Sequence, residues 1–162
     1  MKIIENVKRI KEIHPETIVL IRVGKFYNTY GKDACIVSYI CDYRINKVGE
    51  YYTCGFPLSA INKVLKNIEL KKISYIVVNK SCNYEVEEKE DYKNENQYKE
   101  YYEIASKKIK ISNRINAVKA FLNEILENDE LIYKLKQIEE IMHEEWKIYN
   151  CKLNKRTNKK CG

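Results

Sequence analysis

The sequence predicts an α/β domain, a mixed sheet with flanking helices, followed by an α-helical C-terminal extension. Residues 17–23 and 73–78 are continuous apolar runs rich in β-branched side chains, as expected for buried strands. Segments with helical spacing of apolar residues precede, separate and follow these runs, which is typical of a compact α/β fold. Beyond residue 97 only helical spacing remains, and this predicts the extension.

The first predicted helix covers residues 2–13. Ile3, Val7 and Ile10 share one of its faces, so this face is expected to pack on the sheet. The helix ends before Pro15, because the residue that precedes a proline is displaced from helical backbone angles.

Two glycines bound the segment that follows the first predicted strand. Gly24 ends the apolar run and Gly31 closes the segment, so we expect the chain to turn at both. Between or beside them lie three aromatic residues and two lysines, namely Phe26, Tyr27, Tyr30, Lys25 and Lys32. An aromatic ring at a strand end beside cations suits stacking on a nucleic-acid base. The alternative is that all three rings are core, where aromatic side chains more often lie.

The remaining elements of the first half follow from turn residues and apolar spacing. They are a helix over 32–41, a hairpin of strands 43–47 and 51–53, a tight corner at Cys54-Gly55-Phe56-Pro57, a helix over 60–70 capped by Ser59, and the strand at 73–78.

The pattern predicts four parts of the chain. Residues 1–80 form the α/β domain, 81–97 an acidic linker, 98–150 a helical hairpin or bundle, and 151–162 a basic tail. Within the third part, three helices are expected with polar caps before two of them: 98–111, 113–126 and 129–149, with Ser112 and Asn128 as N-caps. Their apolar stripes are expected to pack on the first domain or on another copy of the chain.

Charge is distributed unevenly along the chain. Residues 1–80 hold 14 Lys and Arg against 7 Asp and Glu, whereas residues 81–150 hold 11 against 16. The basic first part indicates a nucleic-acid face, although an AT-rich coding sequence would also enrich Lys, Ile, Asn and Tyr. No apolar run reaches the length of a membrane span and the N-terminus is not a secretory signal, so a cytoplasmic protein with reduced thiols is expected.

No cofactor or metal is predicted. The six cysteines form no Cys-x-x-Cys pair, and the two histidines are far apart in the sequence. A metal-dependent nuclease would need carboxylates such as Asp33 with Asp42 or Glu50, whose spacing does not favour a shared site. Cys54 is expected to be packed rather than nucleophilic.

Several short motifs follow one another in the first half: Arg22-Val23-Gly24 before Phe26-Tyr27, Asp33-Ala34, Ile45-Asn46-Lys47-Val48-Gly49, and Cys54-Gly55-Phe56-Pro57. In this order and spacing, residues 1–80 resemble the N-terminal mismatch-recognition domain, domain I, of the MutS family of DNA mismatch repair proteins.

The resemblance implies a mixed α/β fold and a role for named residues. Phe26 matches the family's phenylalanine, which wedges beside a mispaired or unpaired base in bent DNA. Tyr27 matches its buried neighbour, and Lys47 matches a cation that contacts the nucleic-acid backbone. The family's motif glutamate is replaced by Asn28, which can donate as well as accept hydrogen bonds. The acidic residue before the phenylalanine is replaced by Lys25.

The resemblance implies a non-enzymatic binder of mismatched, bulged or otherwise distorted duplex, of an RNA–DNA hybrid or of structured RNA. The sequence has no Gly-x-x-x-x-Gly-Lys-Ser/Thr loop, so no ATPase is expected. The alternative is an accessory subunit of a reverse transcriptase, because small MutS-like proteins resemble accessory proteins of diversity-generating retroelements. Its C-terminal helices would then bind the protein partner. An exposed Phe26 favours the first hypothesis, whereas a packed Phe26 with open helical stripes favours the second.

Overall fold

The computed structural model describes residues 2–93, 95–126 and 135–147. Its helices and strands, in chain order, are α1 (Lys2–Ile13), β1 (Ile18–Val23), β2 (Phe26–Tyr30), α2 (Lys32–Cys41), β3 (Ile45–Val48), β4 (Tyr51–Pro57), α3 (Ile61–Leu70), β5 (Tyr75–Asn79), β6 (Glu85–Glu90) and α4 (Glu95–Leu126). Residues 135–147 are also helical. The chain divides into two compact units, Met1–Ile111 and Ser112–Gly162.

The first unit is built on one six-stranded sheet with the order β3-β4-β2-β1-β5-β6. β1 and β5 pair in parallel, and every other neighbouring pair is antiparallel. The mixed sheet with flanking helices and the helical region after it confirm the predicted fold class. The two continuous apolar runs form β1 and β5 at the centre of the sheet, where both faces are covered.

Two hydrophobic clusters cover the two faces of the sheet. The larger cluster joins α2 and α3 to the sheet, and includes Leu20, Tyr27, Phe56 and Tyr75. The smaller cluster packs α1 against β1 and β5 through side chains that include Val7. Because successive side chains of a strand point to opposite faces, the central strands β1 and β5 contribute to both clusters.

Two local predictions in the first unit are wrong. Cys54-Gly55-Phe56-Pro57 is not a corner but the second half of β4, paired with β2 along its length. Ser59 does not cap α3: a short 3₁₀ turn, Leu58–Ala60, precedes the helix, whose N-cap position is Ala60 without a side-chain hydrogen bond.

The predicted organisation after residue 80 also differs from the structure. Within the predicted linker, Glu85–Glu90 forms strand β6, which pairs with β5 and extends the sheet. The first two predicted helices of the extension are one continuous helix, α4, so Ser112 is not an N-cap. Asn128 and the predicted tail lie outside the described residues.

Candidate nucleic-acid interface

A tight hairpin presents Phe26 at one end of the sheet. β1 ends at Val23, Gly24 turns the chain with a positive φ of 60°, and β2 begins at Phe26. Phe26 pairs with Val23 on one side and with Pro57 of β4 on the other. Its backbone is therefore held between two strands, while its side chain is 53% exposed.

The alternation of β2 separates Phe26 from its neighbour Tyr27. Tyr27 is 7% exposed and stacks on Phe56 with a ring-centroid distance of 5.8 Å. Thr29 lies on the same buried face, and its hydroxyl donates a hydrogen bond to the Cys54 carbonyl at 3.3 Å. The expected burial of Tyr27 agrees with the structure, and the prediction that all three aromatic rings are core is wrong for Phe26.

Asn28 lies on the same face of β2 as Phe26, which is here called the open face, and its side chain extends over Gly55 of β4. The two residues are paired in the β2–β4 ladder. A Cβ atom at position 55 would lie 2.7 Å from Asn28 Oδ1, closer than real Cβ atoms approach an oxygen. The absence of a side chain at Gly55 thus allows the Asn28 amide to occupy this place.

The two predicted basic site residues lie in different places. Lys25 is exposed in the turn directly before Phe26, and its carbonyl accepts a hydrogen bond from Leu58 N at 3.2 Å. Lys47 pairs with Tyr52 in the β3–β4 hairpin. Strand alternation from the Asn28–Gly55 pair places Lys47 on the opposite face of the sheet from Phe26.

Asp33 is a buried structural residue rather than a metal ligand. It is 1% exposed and accepts hydrogen bonds from Lys11 Nζ at 2.7 Å, Tyr98 Oη at 2.5 Å and Val19 N at 2.9 Å. Burial, followed by the Asp33 carboxylate, raises the pKa of the Tyr98 hydroxyl above its usual value. Within the described residues, no group of three or more His, Cys, Asp and Glu is placed to hold a metal ion.

Cys54 is equally unsuited to nucleophilic chemistry. It is fully buried on the face of β4 that α2 and α3 cover. Burial raises the pKa of its thiol from 9.0 to about 12, so the thiol is uncharged at neutral pH.

The C-terminal half of α4 carries a line of exposed apolar side chains. Ile111, Ile115, Val118 and Phe121 are all about half exposed, and the first three are spaced four and three residues apart. Such spacing places side chains on one helix face.

Among the described residues, none of the helices carries an apolar stretch that could span a lipid bilayer.

A search against protein families matches this chain to MutS domain I over residues 2–98, more than half of its length. The chain belongs to the MutS domain I family. Among curated proteins, 66 residues are 33% identical to the DNA mismatch repair protein MutS of Thermotoga petrophila, covering 41% of this chain and 8% of that protein. A further 64-residue match is 41% identical to MutS of Parabacteroides distasonis, covering 36% of this chain and 7% of that protein. The matched segments thus cover less than a tenth of the length of these curated relatives.

Within this MutS domain I fold, Phe26 and Asn28 share one face at the start of β2, and Lys25 lies in the turn directly before Phe26. Lys47 does not join them. The proximity of Gly55 to Asn28 is not among the predictions from the sequence, although the Cys-Gly-Phe-Pro motif is part of the resemblance. The signal available in the sequence was a glycine where the flanking residues favour a strand, which marks a close approach of another group.

Proposed function

We propose that this chain is a nucleic-acid-binding module that recognises mismatched, bulged or otherwise distorted duplex DNA by inserting Phe26 beside the faulty base. The observation that carries the proposal is the 53% exposure of the Phe26 ring at the end of a paired hairpin. An aromatic ring that is exposed at the end of a rigid strand is available to stack on a base. Membership of the MutS domain I family supports the same role.

The proposed preference for distorted duplex rests on the free-energy cost of unstacking bases, which depends on how well they are paired. Wedging an apolar side chain between base steps costs a few kcal/mol, and the cost is lowest where pairing is already faulty. Stacking of the freed base on the ring offsets this cost by about 1–3 kcal/mol. Distorted duplex is therefore favoured over perfect duplex without any catalytic step.

The neighbours of Phe26 supply polar contacts. Asn28 lies on the same face, and its amide can both donate to and accept from a base edge. Lys25 is exposed beside the wedge and contacts a phosphate oxygen in this proposal. Lys47, on the opposite face, contributes only to the long-range attraction of the DNA backbone.

The test is fluorescence anisotropy with perfect duplex, the same duplex with one mismatch or a one-nucleotide bulge, an RNA–DNA hybrid and a hairpin RNA. Wild type is expected to prefer the mismatched and bulged duplexes. Phe26→Ala is expected to weaken their binding about 5- to 150-fold and to leave binding to perfect duplex within about twofold.

A matched control is Val86→Ala, which shortens a side chain of similar exposure, 55%, on strand β6 at the far edge of the sheet. It is expected to bind every ligand like wild type. If Phe26→Ala and wild type bind all ligands alike and added salt abolishes binding, the contact is only Lys-based electrostatics and the wedge is wrong.

The exposed apolar side chains of α4 favour a second function, an interaction subunit that pairs this helix with a helix of another protein chain. The reverse transcriptase considered above stays a prediction for that partner. Sedimentation velocity of wild type and Val118→Asp over a range of concentrations tests self-pairing as the simplest case. Assembly that Val118→Asp abolishes would support it, whereas a monomer at all concentrations would exclude a second copy as the partner.

A further inference from the structure

A cavity of about 400 Å³ opens on the sheet face that carries Phe26. It lies between the start of α1 and the β3–β4 hairpin, and its lining includes Ile3, Ile4, Tyr30, Tyr51, Thr53 and Lys80. Its volume is within the usual range of small-ligand sites. We propose that this cavity binds unpaired nucleotides that continue from the distortion at Phe26, an inference that rests on the proposed function.

Strand register connects the cavity to Phe26. Phe26, Asn28 and Tyr30 alternate with buried residues along β2 and share one face, which is exposed at Phe26 and partly covered by the α1 cluster at Tyr30. Tyr30 lies four residues from Phe26, a distance of about 13 Å at the usual rise of a strand. On the neighbouring strand, Thr53 pairs with Tyr30 and Gly55 pairs with Asn28. A strand of nucleic acid displaced at Phe26 can therefore follow β2 into the cavity.

The lining has the chemistry that unpaired nucleotides require. Tyr51, 38% exposed, supplies an aromatic ring on which bases of any sequence can stack, and the partly buried Tyr30, packed on the cluster beneath α1, forms part of the apolar wall. The Thr53 hydroxyl can accept and donate hydrogen bonds, and the exposed Lys80 ammonium supplies a contact for a phosphate.

Charge favours nucleic acid over an acidic or neutral peptide as the occupant. No carboxylate is among the described residues that line the cavity. Lys8 Nζ lies 6.0 Å from the centre of the Tyr51 ring, so a second cation borders the same site. A smaller neighbouring cavity of about 150 Å³ shares Ile4, Tyr30 and Tyr51, and its carboxylate, Asp33, is paired with Lys11.

The experiment compares duplexes that carry a one-nucleotide or a three-nucleotide bulge. A one-nucleotide bulge presents a base to Phe26 only, whereas the longer bulge also reaches the cavity. Tyr51→Ala is expected to weaken binding of the three-nucleotide bulge about fivefold or more, and to change binding of the one-nucleotide bulge less than twofold. Tyr51→Phe keeps the ring and is expected to bind both ligands like wild type.

A measurement on wild type removes the dependence on the folding of Tyr51→Ala. With 2-aminopurine at the third bulge position, stacking in the cavity is expected to quench its fluorescence when protein binds. Lys80→Ala is expected to raise the protein concentration at which half of this quenching is reached. Unchanged fluorescence on saturation would overturn the inference. So would a Tyr51→Ala variant that keeps the wild-type ratio of the two affinities.

The two proposals fail in different ways. If Phe26→Ala binds the one-nucleotide bulge like wild type, the wedge is wrong whatever Tyr51→Ala does. If Phe26→Ala loses both bulges while Tyr51→Ala loses neither, the wedge stands and the cavity is not a nucleotide site.

Discussion

Phe26 and Tyr27 are adjacent aromatic residues on one strand, yet they belong to different regions of the molecule. Phe26 is 53% exposed on the open face of β2, whereas Tyr27 is 7% exposed on the face covered by α2 and α3. The open face continues to Asn28 and the cavity beyond it, and the covered face continues to Thr29 and Phe56. Strand parity, not residue type, therefore decides which aromatic ring is available to a ligand.

The two faces of β2 depend on each other. The ring stack on the covered face anchors the strand, and the hydrogen bonds of β2 to β1 and β4 hold the start of the strand where Phe26 projects. In the proposed function Phe26 must keep its position while bases unstack, and the packed covered face gives β2 the rigidity that this requires. Substitutions on the covered face should accordingly change folding, and substitutions on the open face should change binding.

The largest expected effect is on the covered face. Phe56 is 1% exposed and its ring stacks between Tyr27 at 5.8 Å and Tyr43 at 5.5 Å, measured between centroids. Phe56→Ala removes these contacts and leaves a cavity, so the free energy of unfolding is expected to fall by about 3–5 kcal/mol. Phe26→Ala is expected to change it by about 0.5 kcal/mol or less, because the ring is largely exposed. Urea unfolding followed by circular dichroism measures both.

If Phe26→Ala destabilised the fold as much as Phe56→Ala, the inference that the covered face determines stability and the open face does not would be wrong. A useful companion is Phe56→Leu, which keeps much of the buried volume and is expected to lose less stability than Phe56→Ala. Because these variants report on folding alone, they need no nucleic acid.

Sequence patterns were sufficient for the elements with strong local signals. β1 and β5 are continuous apolar runs, and α1 carries one apolar stripe, so their type follows from composition and period. β6 has no such signal, since its six residues are exposed and rich in glutamate. It forms a strand because its backbone pairs with the edge of β5. As the new edge strand, β6 carries charged side chains that disfavour pairing with a further strand.

The candidate site was predictable to the extent that it is contiguous in sequence. Lys25, Phe26 and Asn28 lie within four consecutive residues, so the resemblance of one short motif to the family covers all three. The face on which Lys47 lies depends on the register of the β3–β4 hairpin, which no local signal specified. The cavity depends on how α1 packs over the sheet, and the period of α1 alone does not reveal this.

A smaller effect is expected on the open face, where Gly55 positions Asn28. In Gly55→Ala the new Cβ atom would lie 2.7 Å from Asn28 Oδ1, so the amide must move from its place beside Phe26. Binding of a mismatched duplex is expected to weaken by about 1 kcal/mol, the typical net contribution of a hydrogen bond, which is roughly fivefold. Fluorescence anisotropy measures this change, and unfolding in urea shows whether stability is retained.

The decisive control is a double-mutant cycle with Asn28→Ala. If Gly55 acts through Asn28, Gly55→Ala adds no further loss once the amide is gone. Independent, additive losses would instead mean that the bare backbone at Gly55 is itself a contact surface, and Asn28 would then no longer explain why this strand carries a glycine.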